Sequence, residues 1–255
     1  MLIATFNVNS VRSRLHILER WLDEVKPDML FMQETKTPDA TFPEEFFMSH
    51  GYKSYYHGEK MHNGVAVIVR DLDVHVDYGF SDGEYDTRVL TLRHNDIVIL
   101  NTYVPQGREI THPDYEAKKE FFARVREIVA GNLEGKFIWL GDMNVAPELI
   151  DVTHPENKKK HVCFSEEIRR VYANTKRGLV DLHRKFHPDE RVYTFYDYRV
   201  PDALKRKIGW RIDHILVSEG LADYARSCIA DTRLREYERP SDHVPLVSEI
   251  EIPLP

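Results

Sequence analysis

The sequence predicts an α/β fold in which two β-sheets pack face to face with helices outside. Three observations carry this. Short apolar runs that read as strands recur along the chain. Amphipathic helical segments lie among them without strict alternation, which disfavours a doubly wound parallel sheet. Several runs end in polar residues, as expected where strand ends present side chains at one rim of a rigid scaffold.

Taken in order, Leu2 to Phe6 is a short apolar alternation and reads as a strand. Leu15, Leu18, Trp21, Leu22 and Val25 then recur at helical spacing, with Ser10 as the expected N-cap and Pro27 as the stop. Met29–Met32 reads as a buried strand, and further strands are expected at Val65–Val69, Val89–Leu92, Ile97–Tyr103, Phe137–Leu140, Ile212–Val217 and Val244–Ile250. Helices are expected at Tyr115–Ala130 and Ser165–Thr175. No linker, Gly/Ser tract or internal repeat interrupts the chain, so residues 1–255 are expected to form one domain.

Composition bounds the function. The chain has 255 residues, 42% of them hydrophobic, enough for a core and against disorder. No apolar run approaches the roughly 18 residues of a membrane helix, and the N-terminus has no secretory pattern. Cys163 and Cys228 are too few for a disulfide framework, and the expectation is a cytoplasmic protein. The net charge of −7 speaks mildly against a nucleic-acid partner, but carboxylates that hold a metal lower the net charge without describing a binding face. Positive charge gathers at 199–211, where Arg199, Lys205, Arg206, Lys207 and Arg211 form a run. A solvated loop is the ordinary reading of such a run.

Three segments could carry chemistry: QETK at 33–36, GDMN at 141–144 and SDHVPL at 241–246. Glu34 follows a buried strand, and with Asp and Asn oxygens it offers the oxygen-only ligand set that suits Mg²⁺. Asp142 and Asn144 are two apart, so on an extended segment they face the same way and can serve as base and oxyanion contact. His243 can donate to a phosphate oxygen, with Asp213 orienting its ring. Alone, each is as easily a turn former, a cap or a surface histidine. Other site patterns fail. There is no HExxH, no GxxxxGK[ST], no GxGxxG and no GxSxG, and His183 and His187 lack a third ligand at matching spacing.

Together these segments resemble the exonuclease III family of apurinic/apyrimidinic endonucleases, in the endonuclease/exonuclease/phosphatase superfamily that includes DNase I. The matching segments run in order from FNVNSVRSRL (6–15) and QETK through GVAVIVR (64–70), DTRVLTL (86–92), NTYVPQG (101–107), WLGDMNVAP (139–147), DLHR (181–184), YTFYDYR (193–199) and GWRIDHILVS (209–218) to SDHVPL. The YTF and GWR-x-D-x-x-L-x-S segments are specific to the exonuclease III branch. The resemblance implies a four-layer α/β sandwich of two packed mixed sheets flanked by helices. It implies Mg²⁺-dependent cleavage (Mn²⁺ substituting) 5′ to abasic sites in duplex DNA, with 3′–5′ exonuclease and 3′-end trimming, by a monomer.

It also implies roles. Asn7, Glu34, Asp142, Asn144, Asp242 and His243 would stand at the metal. Tyr103, Asp142, Asn144, Asp213 and His243 would be catalytic, with Asp142 as base or proton shuttle. Phe195 and Trp210 would line a pocket for the base-less sugar, and Asn9, Arg88, Gln106, Lys205, Arg206 and Lys207 would meet the substrate. The chain departs from the usual pattern at Gln106, where the family usually has Asn, and at Asp86-Thr87-Arg88 in place of Glu-Gly-Arg. A lipid or inositol phosphate hydrolase of the same superfamily would share Glu34, Asp142, Asp213 and His243 but would not need Phe195, Trp210 or a basic loop. A non-catalytic DNA-binding protein of this fold would not need the catalytic set, and a general nuclease would lack the abasic preference.

Overall fold

A computed structural model describes residues 1–252. The N-terminal run forms β1 (Leu2–Asn7), the amphipathic segment forms α1 (Leu15–Val25), and the chain returns along β2 (Met29–Gln33), parallel to β1. After α2 (Glu44–Ser49), β3 (Lys53–His57) and β4 (Val65–Val69) form an antiparallel pair, with β4 beside β2.

The second sheet repeats this plan. β5 (His75–Tyr78) and β6 (Val89–His94) lead to β7 (Ile97–Tyr103), then α3 (Pro113–Asn132) and β8 (Lys136–Asp142), which pairs parallel to β7. Then come α4 (Glu166–Thr175), β9 (Leu179–Asp181), α5 (Leu182–Phe186), β10 (Asp213–Ser218), α6 (Glu219–Ala222), β11 (Ala225–Ala230) and β12 (Leu246–Ile250). The sheets run β11-β12-β1-β2-β4-β3 and β5-β6-β7-β8-β10-β9.

The apolar runs lack alternation because both of their faces are buried. Ile3, Met29, Phe31, Val67, Ile99, Leu140 and Ile215 meet between the sheets. Their neighbours Ala4, Leu30, Met32 and Ile68 turn the other way, onto Leu18 and Trp21 of α1 and Phe47 of α2. On the second sheet Leu100, Phe137 and Trp139 pack against Phe121, Phe122 and Tyr172 of α3 and α4. The result is four layers, helix–sheet–sheet–helix, as expected.

The strands without an apolar signature are β3, β5, β9 and β11, the four sheet edges. β3, β5 and β11 are part-exposed and carry polar residues, so no continuous apolar run marks them, and β9 is only three residues long. Ser10 does not cap α1. A 3₁₀ turn at Arg12–Arg14 leads into the helix, whose N-cap is Arg14 without a side-chain bond. The backbone N–H groups of Ser10 and Val11 instead donate to the carbonyls of Glu34 (2.8 Å) and Thr35 (3.1 Å). The loop after β1 is therefore pinned to the loop after β2.

A buried polar tie joins the sheets beside that point. Gln33 Nε2 donates to Thr5 Oγ1 (2.9 Å) and, across the core, to Asn101 Oδ1 (2.7 Å) of β7. Asn101 Nδ2 donates back to the Met32 carbonyl at 3.2 Å. Buried polar groups tolerate only the geometry that satisfies them, so the tie fixes how the two strand ends face each other.

Candidate active site

Strand register places the first part of the site. Tyr103 at the end of β7 lies opposite Asp142 at the end of β8, and Asp142 lies opposite Asp213 at the start of β10. One row across three strands thus carries three candidate residues. On the facing sheet Asn7 ends β1, and Glu34 leaves β2 with φ +52°, a left-handed turn that re-aims its side chain. The GD segment has its own backbone demand. Gly141 has φ +128°, and a Cβ there would sit 2.1 Å from the Thr102 carbonyl oxygen, so only glycine lets β8 approach β7 here.

A hydrogen-bonded chain runs from Asn144 through Asp142, Asn7 and Glu34 to Lys36, Asn9 and Asp242, with the His243–Asp213 pair beside it. Asn7 Nδ2 donates to Glu34 Oε1 (2.8 Å) and to Asp142 Oδ2 (2.9 Å), spacing two carboxylates from opposite sheets. Lys36 Nζ pairs with Glu34 Oε2 at 2.7 Å and donates to Asn9 Oδ1 at 2.6 Å. Asn9 Nδ2 donates to Asp242 Oδ1 at 2.9 Å. Asp142 Oδ1 accepts the Asn144 N–H at 2.9 Å, and Asn144 Nδ2 donates to the Val104 carbonyl at 2.9 Å. His243 Nδ1 donates to Asp213 Oδ2 at 2.8 Å, leaving Nε2 3.8 Å from Asp142 Oδ2.

Burial and charge set the protonation states. Burial alone would discharge His243, but the Asp213 carboxylate, with Asp142 behind it, holds its pKa up at about 10. Burial and then the Asp213 charge raise Asp142 well above the ordinary carboxylate range, partly offset by His243 and Asn7. Burial would raise Glu34 too, yet the Lys36 ammonium and the Asn7 hydrogen bond bring it below its usual value. Tyr103 is held protonated, well above its ordinary value, by burial and by the charges of Glu34 and Asp142.

Glu34, Asp142 and His243 each offer a ligand atom, all within 4.8 Å of one another. Carboxylate oxygens on a rigid frame are the donor set of a hard divalent cation. A charged His243 has no lone pair to offer, so while it is charged the donors are the carboxylates. The residues fit a metal site.

A cavity of about 540 Å³ opens onto this cluster, and Phe195, Trp210 and Ile212 supply its apolar wall. Phe195 stands edge-on to the His243 ring (centroids 5.0 Å apart), and isolated bridges tie its backbone to both Trp210 and His243. Gln106, Asn144 and Asp242 also line the cavity.

Other candidates lie elsewhere. The Arg88 guanidinium stacks 4.5 Å over the Tyr103 ring and donates to its carbonyl, so it braces Tyr103. Lys205, Arg206 and Lys207 sit on an exposed turn that does not line the cavity. Arg211 departs from the expected positive run. It is fully buried and pairs with Asp151 (2.7 Å) and Asp181 (2.8 Å), because a guanidinium inside the protein must be met by carboxylates.

Sequence reasoning missed three residues. Lys36 was in the quoted QETK segment, and only the tertiary structure shows that it bridges Glu34 and Asn9. His161 lines the cavity with its ring 4.5 Å from that of Trp210, and burial with the nearby charges of Lys158 and Lys118 keeps it neutral, with a pKa of about 4. Lys118 lies fully buried behind Asn144. A His or Lys inside a polar stretch gives no local signal of burial.

Comparison with known proteins agrees with this geometry. Residues 4–243 match the endonuclease/exonuclease/phosphatase family. The chain is 31% identical to an exodeoxyribonuclease III of Haemophilus influenzae, covering 98% of this chain and 99% of that protein. An AP endonuclease structure from Archaeoglobus fulgidus superposes with a TM-score of 0.95 at 44% identity, covering 99% of this chain and 100% of that one. A 3′ phosphatase of Neisseria, NExo, bound to a product DNA hairpin, superposes at 0.93 with 34% identity and the same coverage. The fold, the site and these matches together place the chain in the exonuclease III family of the DNase I-like endonuclease/exonuclease/phosphatase superfamily.

Proposed function

We propose that this protein is a Mg²⁺-dependent DNA repair phosphodiesterase that cuts duplex DNA 5′ to abasic sites, with 3′–5′ exonuclease and 3′-end trimming activity, working as a monomer in the cytoplasm. The observation that carries the proposal is the buried His243–Asp213 pair aimed at Asp142, beside Glu34, at the mouth of a cavity walled by Phe195 and Trp210. The aromatic wall favours DNA over inositol phosphates, whose polyanionic rings have no use for it. Both cysteines are free and buried, which suits a reducing compartment.

A phosphodiester is anionic and repels an incoming water, so the site must neutralise charge, place the water and stabilise the leaving oxygen. Glu34 and Asp142, with Asp242 near them, would hold a divalent cation, which would supply charge neutralisation at the phosphate. Asp142, its proton affinity raised by burial, takes a proton from the attacking water. His243, held charged by Asp213, donates from Nε2 to a non-bridging oxygen, and Tyr103 and Asn144 stand on the same rim. An abasic sugar has no base to stack, so its extrusion into the cavity costs less than that of an intact nucleotide. Asn9, Gln106 and the turn of Lys205, Arg206 and Lys207 would meet the flanking backbone.

The test is cleavage of a duplex carrying one abasic analogue, against an undamaged duplex and an inositol polyphosphate. Chelation should abolish cutting. Glu34→Gln should raise the Mg²⁺ concentration for half-maximal rate about 10–100-fold. Full activity in chelator would remove the metal from the proposal.

A second reading is favoured by His161. Its ring lines the cavity against Trp210 and narrows that wall, which suits a 3′-terminal phosphate, a smaller group than an extruded sugar. A 3′-phosphate duplex in the same assay weighs the two. Trp210→Ala should cut the preference for abasic over undamaged DNA about tenfold or more. A collapsed melting temperature with an unchanged preference would make Trp210 a plain core residue.

A further inference from the structure

Lys118 is fully buried on α3, a helix that carries no candidate catalytic residue. Its ammonium donates to three backbone carbonyls, those of Gln106 (3.1 Å), Asn144 (2.8 Å) and Val162 (2.8 Å). An ammonium has three donors, and all three are used. The acceptors belong to three loop segments: the one after β7, and the two ends of the long connection between β8 and α4. No carboxylate accepts from it among the described residues.

That arrangement is costly as packing. A buried ammonium with no carboxylate in direct contact loses hydration that carbonyl dipoles and the nearby Asp142 charge only partly replace, and burial pulls its pKa below the ordinary lysine value, whereas Met or Leu would fill the volume without that penalty. What the cation adds is a set of charge-assisted bonds that fix three chain segments at one point. The segments are built to meet it. Gly107 has φ +96°, and a Cβ there would lie 3.4 Å from Lys118 Cδ, so the turn wraps closely on the lysine stem. Asn144 has φ +49° and is braced from the third loop, where Cys163 Sγ approaches its Oδ1 at 3.8 Å and the Cys163 carbonyl accepts the Ala146 N–H at 2.8 Å. Each loop delivers a cavity-lining side chain: Gln106, Asn144 and His161.

We propose that Lys118 is a positioning residue, a buried cationic clamp that sets Gln106, Asn144 and the His161 wall in one arrangement for the reacting phosphate. The proposal deepens the phosphodiesterase reading and rests on it for its kinetic consequence.

Lys118→Met keeps an unbranched stem of nearly the same volume and removes the donors. Hydrogen–deuterium exchange of the metal-free protein should then show residues 104–107, 143–146 and 160–164 opening faster together. Single-turnover cleavage of an abasic duplex at saturating Mg²⁺ should fall about 10–100-fold, the scale of an ångström-level misplacement, with affinity for undamaged duplex unchanged. Val129→Ala, a core truncation on the same helix, is the control: it should lower the melting temperature and leave the rate alone. If Lys118→Met only lowers the melting temperature, with wild-type rate and loop exchange, the clamp is wrong. Should that variant not fold, Lys118→Gln carries the test, and a wild-type rate in it overturns the proposal. If the wild type cuts no DNA, the functional reading fails while the exchange arm still decides the clamp.

Discussion

Asp142→Asn is expected to lower single-turnover cleavage of an abasic duplex by about 10²–10⁴-fold, the range for losing a positioned acid–base group, with little change in duplex affinity. The substitution is nearly isosteric, and the remaining oxygen still accepts the Asn144 N–H. The new amide nitrogen, however, faces Asn7 Nδ2, now 2.9 Å from the carboxylate oxygen, and the charged His243 ring at 3.8 Å. Donors then oppose donors where a carboxylate had held both. The pH profile separates lost chemistry from a disturbed site. Burial and the Asp213 charge raise the Asp142 pKa, so the wild-type rate should climb with pH as Asp142 ionises, from acid toward neutral pH. The residual rate of the Asn variant should stay flat across that window. A parallel climb in both proteins would assign the titration, and the base, to another group.

His243→Asn should raise the barrier of the chemical step by roughly 2–4 kcal/mol, the scale of losing one preorganised donor. Asp213→Asn should cost a comparable or smaller amount, because the carboxylate acts through the ring it holds. The double variant should be little worse than the worse single one, since groups acting as a unit are not additive. Strict additivity would detach Asp213 from His243. The pair also has a signature in stability. The folded pKa of His243, about 10, lies above its unfolded value of about 6.5. Its stabilisation is therefore complete below about pH 6.5 and fades as pH rises toward 10. In metal-free protein, the melting-temperature gap between wild type and His243→Asn should be widest at pH 6 and close toward pH 10. A gap that widened with pH would mean the ring is buried neutral.

The matches to exodeoxyribonuclease III and AP endonuclease chains bear out the family, and the four-layer architecture follows what was expected. Both were legible for a local reason. Strands buried on both faces read as unbroken apolar runs, and the parallel pairs β1/β2 and β7/β8 each enclose an amphipathic helix. At the edge strands β3, β5 and β11 burial is incomplete and the pattern vanished with it, and the edge strand β9 is only three residues long. The segments around Glu34, Asp142 and His243 were visible because each joins a buried strand to a charged group.

By itself, the sequence determined the fold class, the family and which short segments hold the chemical groups. Those properties live in composition, period and motif, all within a few neighbouring residues. Only the tertiary structure decided how the groups are paired. It set Asp213 opposite Asp142 by strand register, and it linked Asp142, Asn7, Glu34, Lys36, Asn9 and Asp242 into one chain. It buried Arg211 between Asp151 and Asp181, although in sequence it belongs to a basic run, and it placed Lys118 under three loops. The physical reason is desolvation. A charge inside the protein is stable only among partners that arrive from distant segments, so its role is set by packing that no local pattern encodes.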